Sequence, residues 1–515
     1  MELNCAQFVA EIEKVFGGTS DLIKLSYSIA NKNAVVFFLD GMIDKVLFDD
    51  HIARPLKQLD ELSPPYLPII SASTIVTTAV KLLDELPLAI EQIACGNIIL
   101  AIDNAEGYFV FSERSYKTRA VAEPPVSNVL KGPREGFVED FKTNMTLLRR
   151  RLATPCARFQ MLKVGRYTAT NVCVAYVDGI ADQAVVDEIV TKIEKIDMDG
   201  VIESSYIARF LEDKPNSLFS QVGSSEKPDI VTAKLLEGRV AVIVDGSPMV
   251  LTAPFILYEH FQASEDYYIK SYRATLVRFV RALAMFLAVL LPALYVAMQE
   301  FQAHMFPLKL LLTVTNSIAG APLTPTMEMV CVIIIFEILA EASVRMPRYI
   351  GMALSVVGAI VLGETAVNAG LLSTPSILVI SISTIGLYCV PDEANTGSVL
   401  RLVFVAIGGT IGLLGIVLGA VALTCYLVSI KSFGADYIAP FAPSIIHDWQ
   451  DGLLKNMLPN ITERPYSIPT KNRTRQRDKS SQENANLQQD FAHNQDENSQ
   501  ENDISQSKQP SGEEK

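Results

Sequence analysis

Paired cysteines are missing from this chain. Cys5, Cys95, Cys156, Cys173, Cys331, Cys389 and Cys425 are scattered, and no two form a CxxC pair. That argues against a thiolate metal centre and against a disulfide framework. The histidines are few and dispersed, and there is no phosphate-binding GxxxxGK[ST] loop, no HExxH and no GxSxG elbow. Nothing in the residues argues for an enzyme, so no catalytic residue, metal or cofactor is expected. A basic excess is missing too. The net charge is −13, and no nucleic-acid partner is expected. The opening MELNCAQFVAEIEKVF lacks the basic-then-apolar pattern of an export signal, so the first 245 residues are expected to remain unexported.

What is present is unevenly spread. Residues 1–245 alternate apolar and charged segments as a soluble domain does, residues 277–430 are predominantly apolar, and residues 463–515 lack a core-forming pattern. After Ser480, eight acidic residues stand against two basic ones. This stretch, rich in Gln, Asn and Ser, cannot bury enough apolar area to order itself.

The soluble part contains a weak repeat. Val35–Asp44 reads VVFFLDGMID and Cys173–Asp182 reads CVAYVDGIAD. Each is a β-branched and aromatic run that ends in Asp-Gly, a turn signal, before a helix-like segment. Ile98–Asp103 and Val240–Gly246 share the start of that plan. Two related α/β subdomains are expected, at 1–145 and 146–245. Asp40, Asp44, Asp178 and Asp182 could be imagined as acid/base or metal carboxylates, but turn chemistry and helix N-terminal charge explain them more simply. Arg149–Arg151 closes a helix-like run, where a basic last turn complements the helix dipole.

After a linker at 246–276, Phe279–Met298 carries only Arg281 as a charge. At ~1.5 Å per residue its length matches one hydrocarbon thickness of about 30 Å, and Pro292 is expected to kink it. Met305–Gly320 is shorter and more polar, suited to an interfacial or re-entrant segment. Thr326–Val344, Ile350–Leu372, Pro375–Val390 and Leu402–Ile430 are further candidate spans, giving four to six in all. Arg273, Arg278 and Arg281 before the first span, and the basic residues from Lys455 to Lys479 after the last, place both flanks in the cytosol. That requires an even number of spans.

Charges inside Ala321–Val390 are costly unless they face protein or water. Glu337, Glu341, Arg345 and Arg348 share one helix face, either as an ion-pair stripe at a gate or subunit contact, or as a self-neutralising face at the membrane surface. Glu364 and Asn368 stand one turn apart, after Val357 and Val361. This set could line an oligomeric pore, with an apolar ring as gate, or could bond between helices of one subunit. Gly408, Gly412, Gly415 and Gly419 form two GxxxG motifs suited to close helix packing.

Several stretches resemble the A subunit of the GerA family of spore germinant receptors: Lys131–Leu152, Leu235–Pro248, Pro254–Tyr268 and, most strongly, Phe336–Gly370 (FEILAEASVRMPRYIGMALSVVGAIVLGETAVNAG). The chain departs from the family pattern at Phe219–Gln221, at Ser225–Asp229 and at Asn368. The resemblance implies a subunit of the inner spore membrane with a cytosolic N-terminal domain. Its partners would be a transporter-like, nutrient-binding B subunit, a C-subunit lipoprotein and membrane lipid. The A subunit would assemble as a homo-oligomer into a nutrient-gated ion channel. A non-conducting scaffold, or a solute transporter in its own right, are the alternatives, although residues 277–430 show no duplicated halves of the kind transporters use. The expected fold is an α/β soluble region of two related subdomains, then an α-helical multi-pass membrane domain at 277–430. A cytosolic juxtamembrane segment at 431–479 and a disordered acidic tail at 480–515 complete it.

Overall fold

The protein is represented by a computed structural model that describes residues 4–74, 80–112, 131–318, 322–345, 347, 358, 360, 364–452 and 454–476. Arg348, Val357, Val361 and the tail at 480–515 lie outside the described residues.

Apolar runs buried on both faces form the inner strands of two five-stranded antiparallel sheets. The first contains β1 (Leu22–Ile29), β2 (Lys32–Leu39), β3 (Lys81–Leu83), β4 (Ile98–Ile102) and β5 (Tyr108–Phe111), in the order β1-β2-β4-β5-β3. The second contains β6 (Ala157–Val164), β7 (Thr170–Val177), β8 (Gly223–Ser225), β9 (Val240–Val244) and β10 (Val250–Ala253), in the order β6-β7-β9-β10-β8. The orders are identical under a shift of five strands, so the weak repeat is a duplicated fold. Along β2, Val36 and Phe38 enter one core and Val35, Phe37 and Leu39 the other, as the two-residue period of a strand demands.

Helices cover both faces of each sheet. On the first, α1 (Cys5–Phe16) and α5 (Leu86–Ala94) pack one face. The short α2 (Lys45–Phe48) and α3 (Arg54–Lys57), with α4 (Tyr66–Ser73), pack the other. On the second, α6 (Phe141–Arg151) and α9 (Pro228–Leu236) take the place of α1 and α5, and α7 (Gln183–Glu194) with α8 (Ser204–Leu211) covers the far face. Each repeat therefore opens with a helix. The expected boundary at 145/146 cuts through α6, whose Phe141, Leu147 and Leu148 pack with Phe159 of the second sheet and Leu235 of α9. Phe137 packs in the same cluster.

The repeated aspartates serve the turns. Gly41 and Gly179 occupy positive φ, at 83° and 80°, where a side chain would be strained. Asp44 caps α2 through the Val46 N–H at 2.9 Å, and Asp182 caps α7 through the Ala184 N–H at 3.0 Å. Asp40 pairs with Lys45 at 2.7 Å and Asp178 with Arg158 at 3.1 Å. Arg149 does more than complement a helix dipole. It is buried and donates to both oxygens of Asp21 at 2.9 Å, joining the two lobes.

Glu203 caps α8. Its carboxylate accepts from the Ser205 N–H at 2.7 Å and from the hydroxyls of Ser204 at 2.6 Å and Ser247 at 2.7 Å. Burial pushes this carboxyl up, but the serine donors outweigh it and hold it down at about 2. The folded value lies below the unfolded one of about 4.3. The cap thus adds stability that is present above the unfolded value and is lost as pH falls toward 2. Glu203→Gln is expected to lower the melting temperature at pH 7 and to flatten its fall between pH 5 and pH 2.5. A slope equal to that of the unsubstituted protein would show that the carboxylate is not held in this way.

Between Ser271 and Val428 the described residues are mainly helical: α10 (Ser271–Glu300), α11 (Leu308–Ile318), α12 (Pro325–Arg345), α13 (Thr374–Tyr388), α14 (Ala394–Ile411) and α15 (Leu413–Val428). Among the described residues two helical stretches, Ser271–Glu300 and Pro391–Ile411, are long and apolar enough to cross a membrane, and α13 and α15 are shorter and apolar. Pro292 lies inside an uninterrupted α10. It supplies no N–H to the Ala288 carbonyl one turn back, and the Ser383 hydroxyl donates to that carbonyl instead, at 2.5 Å.

The span expected at Leu402–Ile430 is two helices. Gly412, at φ 74° and ψ −155°, breaks it, a conformation open essentially to glycine alone. Gly408 meets the Ala293 carbonyl of α10 and Gly409 meets Thr326, so these small residues do serve close packing. Residues 431–476 return to the second lobe. Ser432 donates to the Gln221 carbonyl at 2.7 Å, Arg464 to the Leu236 carbonyl at 2.6 Å, and Thr470 bridges to Ala181. Both ends of the helical region therefore meet the α/β module on one side.

Candidate functional site

Charge concentrates where the second lobe, the segment 254–270, the start of α10 and the returning chain meet. Arg239, just after α9, pairs with Glu259 and donates to the Pro254 carbonyl at 3.0 Å. Lys234 reaches the same carboxylate at 2.9 Å. Burial pushes the Glu259 carboxyl up, but Arg239 and Lys234 outweigh it and hold it below the usual range. Burial wins at neighbouring Glu237, which sits above that range despite Arg239 and Arg475.

A second knot fixes α10. Arg278 is fully buried. Its Nε donates to Asp266 at 3.0 Å and its Nη1 to the carbonyls of Gly452 at 2.6 Å and Asp451 at 2.8 Å. Arg281 also binds Asp266, at 2.9 Å. Lys455 pairs with Asp451 at 2.8 Å and stands 3.8 Å from the centre of the Tyr267 ring. A cavity of about 350 Å³ opens beside these pairs, lined among others by Glu226, Asp229, Lys234, Arg239, Tyr267 and Arg475. His260 Nε2 lies 2.8 Å from Glu393, both buried, which links the same segment to the turn before α14.

The charged stripe expected along α12 divides. Glu337 faces α14, where Arg401 Nη2 binds it at 2.6 Å and the Ser398 hydroxyl donates to it. The other terminal nitrogen of Arg401 donates to Ser383 at 3.2 Å and to Thr384 at 3.1 Å on α13. One turn further, Glu341 and Arg345 pair with each other at 2.5 Å, with side chains 64% and 78% exposed. Glu337 thus pairs across to another helix, while Glu341 and Arg345 pair with each other. Arg348 lies outside the described residues, as do Val357 and Val361 of the expected pore set. Glu364 and Asn368 are described and exposed, one turn apart.

The residue that sequence reasoning missed is Arg401. Its signal was present: a lone arginine in the apolar run SVLRLVFVAIGG needs a partner at that depth, and a span begun at Leu402 leaves it out. In the sequence Arg278 is one of three positive charges before a span; in the structure it is the centre of a knot.

A duplicated α/β module, ion-paired to a bundle of apolar helices that returns its chain to the same module, defines the class: an α/β module carried on helices of membrane type. The particular family follows from comparison. The pattern of the Bacillus/Clostridium GerA spore germination proteins matches residues 10–467, and the chain belongs to that family. It is 32% identical to spore germination protein KA of Bacillus subtilis (strain 168), over 92% of this chain and 88% of that one. It is 30% identical to spore germination protein GerLA of Bacillus cereus, over 92% and 97%. Among solved structures, the N-terminal domain of the A subunit of the Bacillus megaterium spore germinant receptor GerK3 is 26% identical. It covers 50% of this chain and 98% of that one, at a TM-score of 0.40.

Proposed function

We propose that this chain is the A subunit of a nutrient germinant receptor. In this reading it sits in the inner spore membrane with its α/β module in the cytosol, beside a transporter-like B subunit and a C-subunit lipoprotein. It assembles with copies of itself into a gated ion channel. The single observation that carries the reading is the buried knot of Arg278, Asp266 and Asp451. It makes a rigid joint between the module and the first long apolar helix, so that movement in one reaches the other.

Two features support the membrane arrangement. With 350–372 taken as a span, α10, α12, α13, α14 and α15 bring the count to six, the even number that two cytosolic flanks require. The break at Gly412 supplies the pass that one long helix at 402–430 would lack. Glu364 and Asn368, exposed on an apolar chain, are free to meet a neighbouring copy, with Val357 and Val361 as the gate ring of the same segment.

Two measurements test this. A membrane-impermeant label is expected to reach both the α/β module and residues after Arg464 from the cytosolic face only. Labelling of the two from opposite faces would break the even count. The purified chain, reconstituted in liposomes, is expected to form an oligomer that passes ions. An oligomer without conductance would make the chain a scaffold for its partners.

A further inference from the structure

The apolar bundle contains a second polar layer, one turn inside the start of α12, which lacks a basic partner. Glu328 is fully buried. Its Oε1 accepts from the Ser373 N–H at 2.6 Å, the cap position of α13. Its Oε2 is buried and has no hydrogen-bond partner among the described residues. Further along the same helix Glu337 has Arg401, but no ammonium or guanidinium pairs with Glu328 among the described residues.

Other oxygens gather there. Ser373 donates to Ser376 at 2.9 Å, and both are buried. Tyr295 of α10 packs in one cluster with Met329 and Leu372, the neighbours of Glu328 and Ser373 in sequence, and its hydroxyl is buried with no hydrogen-bond partner among the described residues. One turn along the same helix, Gln299 buries both amide atoms without a partner among the described residues. The ends are fixed. Glu300 accepts from the Thr326 N–H at 3.0 Å and from its hydroxyl at 2.7 Å, tying α10 to the start of α12.

We propose that Glu328, Tyr295, Ser373 and Ser376 form a site for a monovalent alkali cation. An ionised carboxylate in an apolar interior must be paired or neutralised. The α13 N-terminus satisfies one oxygen only. A proton on Oε2 would neutralise the charge but satisfy one atom, whereas a cation draws the carboxylate and the unpartnered hydroxyl together. The donor set is all oxygen, which excludes the soft and imidazole-loving metals. It carries a single negative charge, where divalent sites use several carboxylates or substrate phosphates. The inference holds whether or not the chain conducts.

The test uses the full-length purified chain at pH 8 and fixed ionic strength, with choline chloride exchanged for NaCl or KCl. Sodium or potassium is expected to raise the melting temperature saturably above its value in choline. Glu328→Gln is expected to melt at one temperature in all three salts. Should that variant fail to fold, Tyr295→Phe and Ser376→Ala, which keep size and burial, are expected to shift the cation midpoint several-fold upward. Equal melting in choline, sodium and potassium would show that a proton neutralises Glu328, and the proposal would fall. It would fall equally if both hydroxyl variants kept the midpoint unchanged, or if Mg²⁺ stabilised the protein where sodium and potassium did not.

Discussion

Arg278→Met is expected to loosen the α/β module from the helices. The substitution keeps an apolar stem of similar length but removes the group that binds Asp266, the Asp451 carboxylate and two main-chain carbonyls. Removing one partner of a buried pair costs about 3–5 kcal/mol, because the other charge is left without compensation. Here the lower part of that range applies. Arg281 still holds Asp266 and Lys455 still holds Asp451. Arg278→Lys retains charge but not the planar fork that reaches several acceptors at once, so it should fall between the two. The readouts are the melting temperature of the purified chain and protease cleavage within 246–276. The control is Arg345→Met. Its pair with Glu341 is exposed, and exposed pairs contribute about 0–1 kcal/mol. Equal melting of Arg278→Met and Arg345→Met would remove the knot from any role as a joint.

How far the sequence carried the reading depends on how local each signal was. The strands and Asp-Gly turns were legible because each depends on a few adjacent residues. VVFFLDGMID and CVAYVDGIAD become β2 and β7, followed by their capped helices. The boundary was not legible, since α6 looks the same from either side until its Phe141 and Leu148 find the second sheet. Asp21 and Arg149, 128 positions apart, have no local pattern that pairs them. In the helical region, apolar length concealed the break at Gly412, because a GxxxG reading assigns every glycine to packing and none to backbone geometry. Helical spacing grouped Glu337 with Glu341 and Arg345, although Arg401 on another helix claims it. Periodicity reports which face a side chain occupies and not what lies opposite.

That claim sets up the last expected result, a double-mutant cycle on Glu337 and Arg401. Arg401 is 1% exposed as a side chain and Glu337 is 43% exposed. Glu337→Leu strands a buried guanidinium, whose remaining partners are the hydroxyls of Ser383 and Thr384. Its expected cost is about 3–5 kcal/mol. Arg401→Met strands a half-exposed carboxylate that keeps the Ser398 hydroxyl and can neutralise itself by taking a proton, so the smaller loss is expected there. The double variant replaces the pair by two apolar side chains in an apolar bundle. Replacements of that kind are often neutral or stabilising, so the double is expected to recover at least half of the Glu337→Leu loss. Melting of the three variants in lipid gives the coupling directly. A double variant no better than Glu337→Leu would show that the two residues do not act as a pair. The asymmetry of the singles then reads what the open side of Glu337 meets. Against lipid, Arg401→Met approaches the cost of Glu337→Leu, because no water reaches the stranded carboxylate. Against water, as along a pore, its cost falls well below.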